Sequence, residues 1–320
     1  MILPAFSPFL VADIGGTTTR VAAALGAGEF TDVEVAVADQ DIVDPLELLL
    51  EVRNRLTHCE YGAVAVAGRV EDDEVQLTNR DFNFSISKLE QQLQLRKLLV
   101  VNDFVALAHA IDALPSDGVH TVRQGERQKH SPLVVCGPGT GFGLAVLYAD
   151  GKVVSTEAGH LRLGSFDREE AYLLERISGK ALDRPIVEDV ISGKGLQAIY
   201  QAISGRDQTP ESIVKDAESG ISDAKEAIDR FLRFFGRIVA DLSLLFDARG
   251  GVFIAGGVGS SLSRFYSSAS FMRWFETHPT NGLILSRVPI HVVTYAFPGL
   301  LGAEQLLERN LKSGRWPISE

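Results

Sequence analysis

The sequence predicts an α/β protein with two lobes of similar construction and a cleft between them. Up to about residue 114, short apolar runs alternate with segments of helical periodicity, as in a mixed sheet flanked by helices. Residues 10–17 and 133–140 also match in outline, because each runs from an apolar strand through glycines to a threonine. An internal duplication explains this similarity, and a chance likeness of two glycine-rich hairpins is the alternative.

The elements of the first part follow in order along the chain. A tightly bent hairpin comes first, because apolar runs flank Gly15 and Gly16. Pro45 suits the first turn of the first helix, and Ser85 or Ser87 can cap the second. Strands are expected at 9–14, 21–25, 63–67 and 98–101, and helices at 46–56, 86–95 and 104–114.

A polar stretch at 116–131, which we expect to be a crossing connection, separates the second part from the first. The strongest helical signal lies at 223–247, where apolar residues three and four positions apart form one stripe. Gly250 and Gly251 are expected to end this helix. A hairpin is also expected from 133, a strand at 252–255, and shorter helices at 171–177, 186–190, 196–203 and 298–311.

Composition and charge indicate a folded protein and argue against nucleic-acid-binding and membrane-spanning proteins. The chain has 320 residues, 45% of them hydrophobic and 23% charged, which is the usual balance of a folded protein of about two domains. Its net charge of −11 argues against nucleic acid as a partner. No apolar run reaches membrane-spanning length, and residues 1–10 do not resemble a signal peptide. Cys59 and Cys136 form no zinc or disulfide pattern, so a cytoplasmic location is expected.

Glycine-rich turns are candidate phosphate-binding loops, with plain hairpin turns as the alternative. Glycine lets the backbone approach a ligand closely and point its amides at phosphate oxygens. Asp13 could hold Mg²⁺ directly or through water, and Arg20 could offset charge. The candidate nucleotide-binding residues are Asp13, Gly15, Gly16, Thr17, Thr18 and Arg20 in the first turn, Gly137, Gly139, Thr140 and Gly141 in the second, and Gly256 and Gly257 in the third.

These turns do not follow the common nucleotide-binding motifs. The second turn lacks the GxGxxG spacing and leads into a strand rather than a helix, and no Gly-Lys pair is followed by serine or threonine. An ATP site in this chain would therefore be of another kind.

Polar residues after apolar strands are candidates for chemistry on a substrate. Asp103, next to Asn102, could be a general base that accepts the proton of an attacking hydroxyl, or it could cap a helix. Glu157 and His160 offer a carboxylate and an imidazole, which suit the hydroxyls of a sugar. On spacing alone, Glu188 is a residue on a helix surface.

Several short segments in one order resemble the bacterial glucokinase family and together span nearly the whole chain. Residues 10–20, which contain Asp-Ile-Gly-Gly-Thr-Thr-Thr-Arg, resemble the first phosphate motif of the family. The other segments are residues 77–84, 101–104, 137–143, 157–160, 188–195, 253–257 and 298–302.

The resemblance implies a two-lobed actin-like ATPase (ribonuclease H-like) fold with an interdomain cleft, and an enzyme that phosphorylates glucose with ATP and Mg²⁺. It implies a small domain of residues 1–112 completed by a helix at 299–320, and a large domain at 113–298. Asp103 would be the base for the 6-hydroxyl, and a homodimer is typical of the family. The implied sugar-binding residues are Asn79, Asn102, Asp103, Glu157, His160 and Glu188.

The sequence departs from the family pattern at two places near the implied sugar site. Arg69 follows Ala67 and Gly68 where a proline is expected, and Ala158 stands where glycine is expected. The chain also lacks the cysteine-rich zinc motif of the related repressor, open-reading-frame and kinase group. The two departures concern sugar preference, and neither changes Asp103, the residue that the resemblance implies as the base.

Other functions remain open on sequence alone. A kinase for another hexose would need the same residues, and a non-catalytic sugar sensor on this scaffold would bind glucose without releasing ADP. A phosphohydrolase would consume ATP without any sugar.

Overall fold

The computed structural model describes residues 8–37, 44–78, 82–178, 185–267 and 269–314. The chain divides into two compact units, the first formed by Met1–Ser116 and Tyr295–Glu320 and the second by Asp117–Thr294. Each unit combines sheets and helices, so the predicted α/β class is confirmed. Within the described ranges, no helix is long and apolar enough to cross a lipid bilayer.

Strands and helices are numbered in chain order. The strands are β1 (Phe9–Ile14), β2 (Thr18–Gly26), β3 (Glu29–Val37), β4 (Tyr61–Val66), β5 (Gly68–Glu71), β6 (Glu74–Leu77), β7 (Asn83–Ser85), β8 (Lys97–Asn102), β9 (Val119–Arg123), β10 (Leu133–Pro138), β11 (Phe142–Leu147), β12 (Val153–Thr156), β13 (Gly251–Ile254) and β14 (Ile290–Val293). The helices are α1 (Pro45–Arg55), α2 (Ile86–Gln92), α3 (Asp103–Ala110), α4 (Arg168–Ser178), α5 (Val187–Val190), α6 (Gly193–Ser204), α7 (Pro210–Glu218), α8 (Ser222–Leu245), α9 (Gly257–Ser261), α10 (Ala269–Glu276), α11 (Gly282–Leu285) and α12 (Pro298–Ser313).

A sheet in the order β3-β2-β1-β4-β8 forms the centre of the first unit. β1 pairs antiparallel with β2 and parallel with β4, which pairs parallel with β8. Side chains alternate along β1, so that Leu10, Ala12 and Ile14 join the core that includes α1, whereas Phe9 and Val11 join the core that includes α12. The same alternation directs position 13 to the α12 side of the sheet.

The second unit repeats this plan in its sheet, which has the order β12-β11-β10-β13-β14-β9. β10 pairs antiparallel with β11 and parallel with β13, which pairs parallel with β14. β10 therefore corresponds to β1, and the turn after each of these strands occupies an equivalent place. Residues 10–17 and 133–140 are thus two copies of one arrangement, which confirms the predicted internal repeat.

The edges of the elements differ from the sequence prediction in several places. The stretch at 116–131 contains β9, which pairs antiparallel with β14 although its residues lack the alternation of a half-buried strand. The long helix α8 ends at Leu245, and Asp247 rather than a glycine adopts the left-handed conformation after it, with φ of 49°. The sequence analysis also missed β3. It missed the small sheet of β5, β6 and β7 as well, and more than half of the residues in that sheet are polar.

The apolar stripe of α8 forms the centre of the core in the second unit. Phe231 and Phe235 are fully buried. The ring of Phe235 lies 6.1 Å from Phe142 in β11, 5.9 Å from Tyr266 and 5.6 Å from Phe271, measured between ring centroids. These contacts hold the strand that follows the second glycine-rich turn against the longest helix of the unit.

Candidate active site

The carboxyl ends of three parallel strands lie side by side in the first unit. The strand register pairs Ile14 with Val66 and Val66 with Asn102, so β1, β4 and β8 end at the same edge of the sheet. In α/β sheets this edge is where ligands bind. Two predicted site residues, Asp13 and Asp103, stand at this edge, one at the end of β1 and one directly after β8.

Asp13 is a carboxylate with one close cationic partner. It lies opposite Arg20 in the β1–β2 register, and Oδ2 of Asp13 is 3.8 Å from Nη1 of Arg20. Burial raises the pKa of Asp13 to about 6, although the Arg20 guanidinium opposes this shift. The side chain keeps 18% of its surface exposed, so a ligand can reach it.

Asn102 and Asp103 both accept a hydrogen bond from the Phe104 amide in the first turn of α3. Asn102 caps the helix, and its Oδ1 accepts a hydrogen bond from the Phe104 N–H at 3.0 Å, while its Nδ2 donates to the Gly68 carbonyl at 3.2 Å. Oδ1 of Asp103 accepts from the same Phe104 N–H at 3.0 Å. The capping role that competed with catalysis therefore belongs to Asn102.

The acidity of Asp103 is strongly altered. Burial and the negative charge of Asp13 raise the pKa of Asp103 to about 7, against smaller opposing effects of the amides of Phe104 and Asp103 and of the Asn102 side chain. A carboxyl group that titrates near neutrality can accept a proton as a general base. Perturbed carboxyl groups of this kind cluster at functional sites.

The first glycine-rich turn links β1 to β2. The Gly15 N–H donates to the Thr18 carbonyl at 2.8 Å, and a β-carbon on Gly15 would lie 2.9 Å from that oxygen. Thr17 at its tip is exposed, while Gly16 and Thr18 are partly exposed. This turn presents backbone and hydroxyl groups beside Asp13.

In the second unit, two glycine segments far apart in sequence meet. A β-carbon on Gly137 would overlap the Ala255 carbonyl, and one on Gly256, where φ is 88°, would lie 2.6 Å from the Pro138 carbonyl. No side chain fits at either position. The close approach brings the turn after β13 to the end of β10, so the second and third candidate phosphate turns adjoin each other.

The tip of the second turn is open. The Gly139 N–H donates to the Gly141 carbonyl at 2.9 Å, which closes the hairpin around Thr140. A β-carbon on Gly139 or on Gly257 would meet nothing within 4 Å. The backbone at both positions is therefore accessible to a ligand.

The start of α6 also joins this group, which the residue-by-residue sequence analysis missed. The Gly193 N–H donates to the Gly139 carbonyl at 2.9 Å, and Ser192 caps α6 by accepting from the Gly195 N–H at 3.0 Å. The Ser-Gly-Lys-Gly segment carries the signal of a capped, glycine-rich helix start, which could have revealed it.

Glu188 lies against the second turn rather than on a free helix surface. Its Oε2 would be 2.6 Å from a β-carbon on Gly141 and 2.9 Å from one on Gly159, and it lies 3.4 Å from the Phe142 amide nitrogen. The two glycines make room for the carboxylate. The interpretation of Glu188 as an ordinary surface residue is therefore wrong.

Glu157 directly precedes a short 3-10 turn, Ala158–His160, which ends with His160 and lies next to α5. Nε2 of His160 is 3.7 Å from Oε2 of Glu157, and the two side chains are 51% and 72% exposed, respectively. The Val187 N–H donates to the Leu161 carbonyl at 2.8 Å, which ties this turn to the helix of Glu188. The structure thus brings three of the predicted sugar-binding residues into one neighbourhood of the second unit.

The two departures from the family pattern have local explanations. Ala158 is buried in the core of the second unit, where its methyl group packs. Gly68 is required because a β-carbon there would overlap the Gln76 carbonyl, and Arg69 in β5 pairs with Glu71 at 3.1 Å. Asn79 lies outside the described residues.

Comparison with known proteins agrees with this arrangement. The glucokinase family model matches residues 10–310. A glucokinase of Helicobacter pylori strain J99 is 33% identical over 329 residues, covering 96% of this chain and 98% of that protein.

Solved structures show the same fold. A glucokinase from an Antarctic psychrotroph is 28% identical, with a TM-score of 0.78 over 95% of this chain and 99% of that one. A glucokinase from Balamuthia mandrillaris, solved in complex with glucose, is 24% identical with a TM-score of 0.82 over 94% of each chain. The fold is therefore that of sugar kinases of the actin-like ATPase type. The family match over nearly the whole length shows that this chain belongs to the glucokinase family.

Proposed function

We propose that this protein transfers the γ-phosphoryl group of ATP to the 6-hydroxyl of D-glucose, giving glucose 6-phosphate and ADP. The single observation that carries the proposal is the position of the Asp103 carboxyl, directly after β8 at the carboxyl edge of the sheet. Burial and the charge of Asp13 raise its pKa to about 7 there. Membership of the glucokinase family supports both substrates.

Asp103 acts as the general base. At and above neutral pH its carboxylate accepts the proton of the 6-hydroxyl while that oxygen forms its bond to the γ-phosphorus and the bond to ADP breaks. Burial, and next the charge of Asp13, raise the pKa of Asp103 and make its carboxylate more basic than an ordinary aspartate. The bond between Oδ1 and the Phe104 amide holds the carboxyl orientation at the start of α3.

The sugar hydroxyls are bound by polar groups whose orientation the fold fixes. Asn102 is held by the Gly68 carbonyl and the Phe104 amide, and Glu188 by the space beside Gly141 and Gly159. A site built from such acceptors rejects analogues that lack a hydroxyl, because its polar groups would then be left unpaired. The complete proposed set is Asn79, Asn102, Asp103, Glu157, His160 and Glu188.

The nucleotide is bound by the glycine turns. The start of α9 at Gly257 and the exposed tip of the first turn at Thr17 offer amides to phosphate oxygens. Gly15, Gly16 and Gly139 let the backbone approach the phosphates closely. Arg20 supplies positive charge. The remaining proposed contacts are Thr18, Gly137, Thr140, Gly141 and Gly256.

The acidic pair in the first unit fits Mg²⁺. Asp13 and Asp103 repel each other, and the Arg20 guanidinium, 3.8 Å from Oδ2 of Asp13, offsets part of this negative charge. Carboxylate oxygens are the ligands that Mg²⁺ prefers, so Asp13 would hold the ion directly or through water. When bound, Mg²⁺ would offset the negative charge of the phosphates.

Three further features belong to the proposal on the strength of the family resemblance. The small domain comprises residues 1–112 and 299–320 and the large domain residues 113–298, the enzyme is a homodimer, and it acts in the cytoplasm. Sedimentation of the purified protein tests the dimer directly.

Replacing the base removes turnover without removing the sugar site. Asp103→Asn is expected to reduce glucose-dependent ADP release by roughly 10²- to 10⁴-fold, because an amide cannot accept the proton. Glucose binding, measured by calorimetry, is expected to persist. The control is Asp117→Asn, which changes an exposed aspartate in the turn Ser116–Gly118.

The same assay distinguishes the alternatives. Turnover of the Asp103→Asn variant close to wild type would exclude Asp103 as the base. A wild-type protein that binds glucose but releases no ADP would be a sensor, and one that consumes ATP without sugar would be a phosphohydrolase. Parallel assays with mannose, fructose and N-acetylglucosamine identify a kinase of another hexose.

The pH dependence follows from the raised pKa of Asp103. Because only the ionised carboxylate accepts a proton, kcat/KM for glucose is expected to fall about tenfold per pH unit below a pH of about 7. Steady-state rates between pH 5.5 and 8.5, with excess coupling enzyme, measure this decrease of kcat/KM at low pH. A rate that stays constant down to pH 5 would contradict the assignment.

Glu188 is expected to contribute to sugar affinity rather than to the nucleotide site. Glu188→Gln weakens a charge-assisted hydrogen bond to a sugar hydroxyl, so the Kd for glucose is expected to rise about tenfold or more. Calorimetric titration measures this change, with Glu211→Gln on the exposed face of α7 as the matched control. Equal glucose affinity in the two variants would remove Glu188 from the sugar site.

A further inference from the structure

Asp13 and Asp103 belong to elements of the first unit that are not neighbours in the sheet. Asp13 is on β1 and Asp103 follows β8, and β4 lies between these strands. Neighbouring strands are about 4.8 Å apart, so the two carriers are separated by roughly 10 Å of sheet. A third element is needed to fix the carboxylates relative to one another.

Helix α12 makes contact with both carriers through two glycines one turn apart. A β-carbon on Gly299 would lie 2.5 Å from Oδ2 and 2.6 Å from Cγ of Asp13. A β-carbon on Gly302 would overlap the carbonyl of Ala106 in α3, the helix that begins with Asp103. Residues three apart lie on the same face of a helix, so one face of α12 abuts both groups.

The rest of α12 is firmly anchored on the sheet. Leu300, Ala303 and Leu307 are fully buried and share a core with Val11 of β1 and Leu99 of β8. A helix docked in this way cannot shift to make room for an added side chain without loss of packing. Displacement would therefore fall on the Asp13 carboxylate.

The two glycine contacts differ in what they touch. A β-carbon on Gly302 would overlap backbone atoms, and glycine commonly occurs where two helices cross at short distance. Gly299 meets the functional carboxylate itself, at the first turn of α12, where the helix dipole favours negative charge. Backbone conformation does not require a glycine at this position, because the φ of Gly299 is not positive.

We propose that Gly299 is a positioning residue, which acts by leaving space for the Asp13 carboxylate and so sets its place relative to Asp103 and to Mg-ATP. Gly302 supports this role by seating α3 against the same helix. The proposal rests on the proposed kinase function. It adds a functional residue that touches neither substrate.

The test is the Gly299→Ala variant in the full-length protein. A methyl group at this position displaces the Asp13 carboxylate, so kcat/KM for Mg-ATP is expected to fall about 10- to 100-fold, and the Mg²⁺ concentration for half-maximal rate is expected to rise. Glucose affinity, measured by calorimetry, is expected to stay within twofold of wild type.

The matched control is Gly236→Ala in α8, where a β-carbon would lie 2.7 Å from the Phe271 carbonyl at a buried helix contact of the second unit. This variant is expected to lose thermal stability without a change in Mg²⁺ dependence. If Gly299→Ala has the Mg²⁺ dependence and kcat of Gly236→Ala, the positioning role is refuted. If the wild-type protein itself shows no glucose-dependent ADP release, the proposed function fails instead.

A double-mutant cycle tests the contact independently of activity. Asp13→Ala removes Oδ2 and Cγ, the two atoms nearest to the new methyl group, and leaves only the β-carbon at 3.1 Å. Gly299→Ala is therefore expected to lower the melting temperature less in the Asp13→Ala background than in wild type. This comparison applies even if the single Gly299→Ala variant folds poorly, because the double variant should then regain folding. Equal effects in the two backgrounds would overturn the proposal.

Discussion

The repulsion between the carboxylates of Asp13 and Asp103 is the constraint on which the site depends. Both groups stand at the carboxyl edge of the sheet in the first unit, where burial raises each pKa and Asp13 raises that of Asp103 further. Arg20 opposes only part of this effect at Asp13. The folded state therefore favours the protonated forms, and the contribution of these two groups to its stability decreases as pH rises from about 4 through about 7. In the proposed mechanism the same environment makes Asp103 a base suited to neutral pH, and a divalent cation beside Asp13 would relieve the repulsion.

Close approach of backbone segments is the second recurring feature, and it explains why glycines occur in the candidate phosphate-binding turns. Gly137 and Gly256 let the ends of β10 and β13 meet, while Gly141 and Gly159 leave space for the Glu188 carboxylate. The internal repeat places the two phosphate turns at equivalent positions, each directly after the central strand of its sheet. A single strand–turn–strand unit, used twice, thus accounts for two of the three candidate nucleotide-binding turns.

The sequence predicts a structural feature well where the residues that determine it lie close together in the chain. The hairpins at Gly15 and Gly139, the cap at Ser85 and the stripe of α8 all follow from spacing within one element. Features that depend on distant partners could not be predicted in this way. Glu188 looks like a surface residue until Gly141 and Gly159 are placed beside it, β9 is a strand only because β14 pairs with it, and the contact of Gly299 with Asp13 joins opposite ends of the chain.

The central claim is electrostatic, and titration of the Asp103 carboxyl itself tests it most directly. Carbon-13 NMR of the aspartate-labelled protein, with Asp103→Asn to assign the signal, gives the pKa of this group without any turnover. The account predicts a value near 7 in the wild-type protein and a lower value in Asp13→Asn, because the neighbouring charge is then removed. A pKa near the ordinary value of about 4 in both proteins would contradict it.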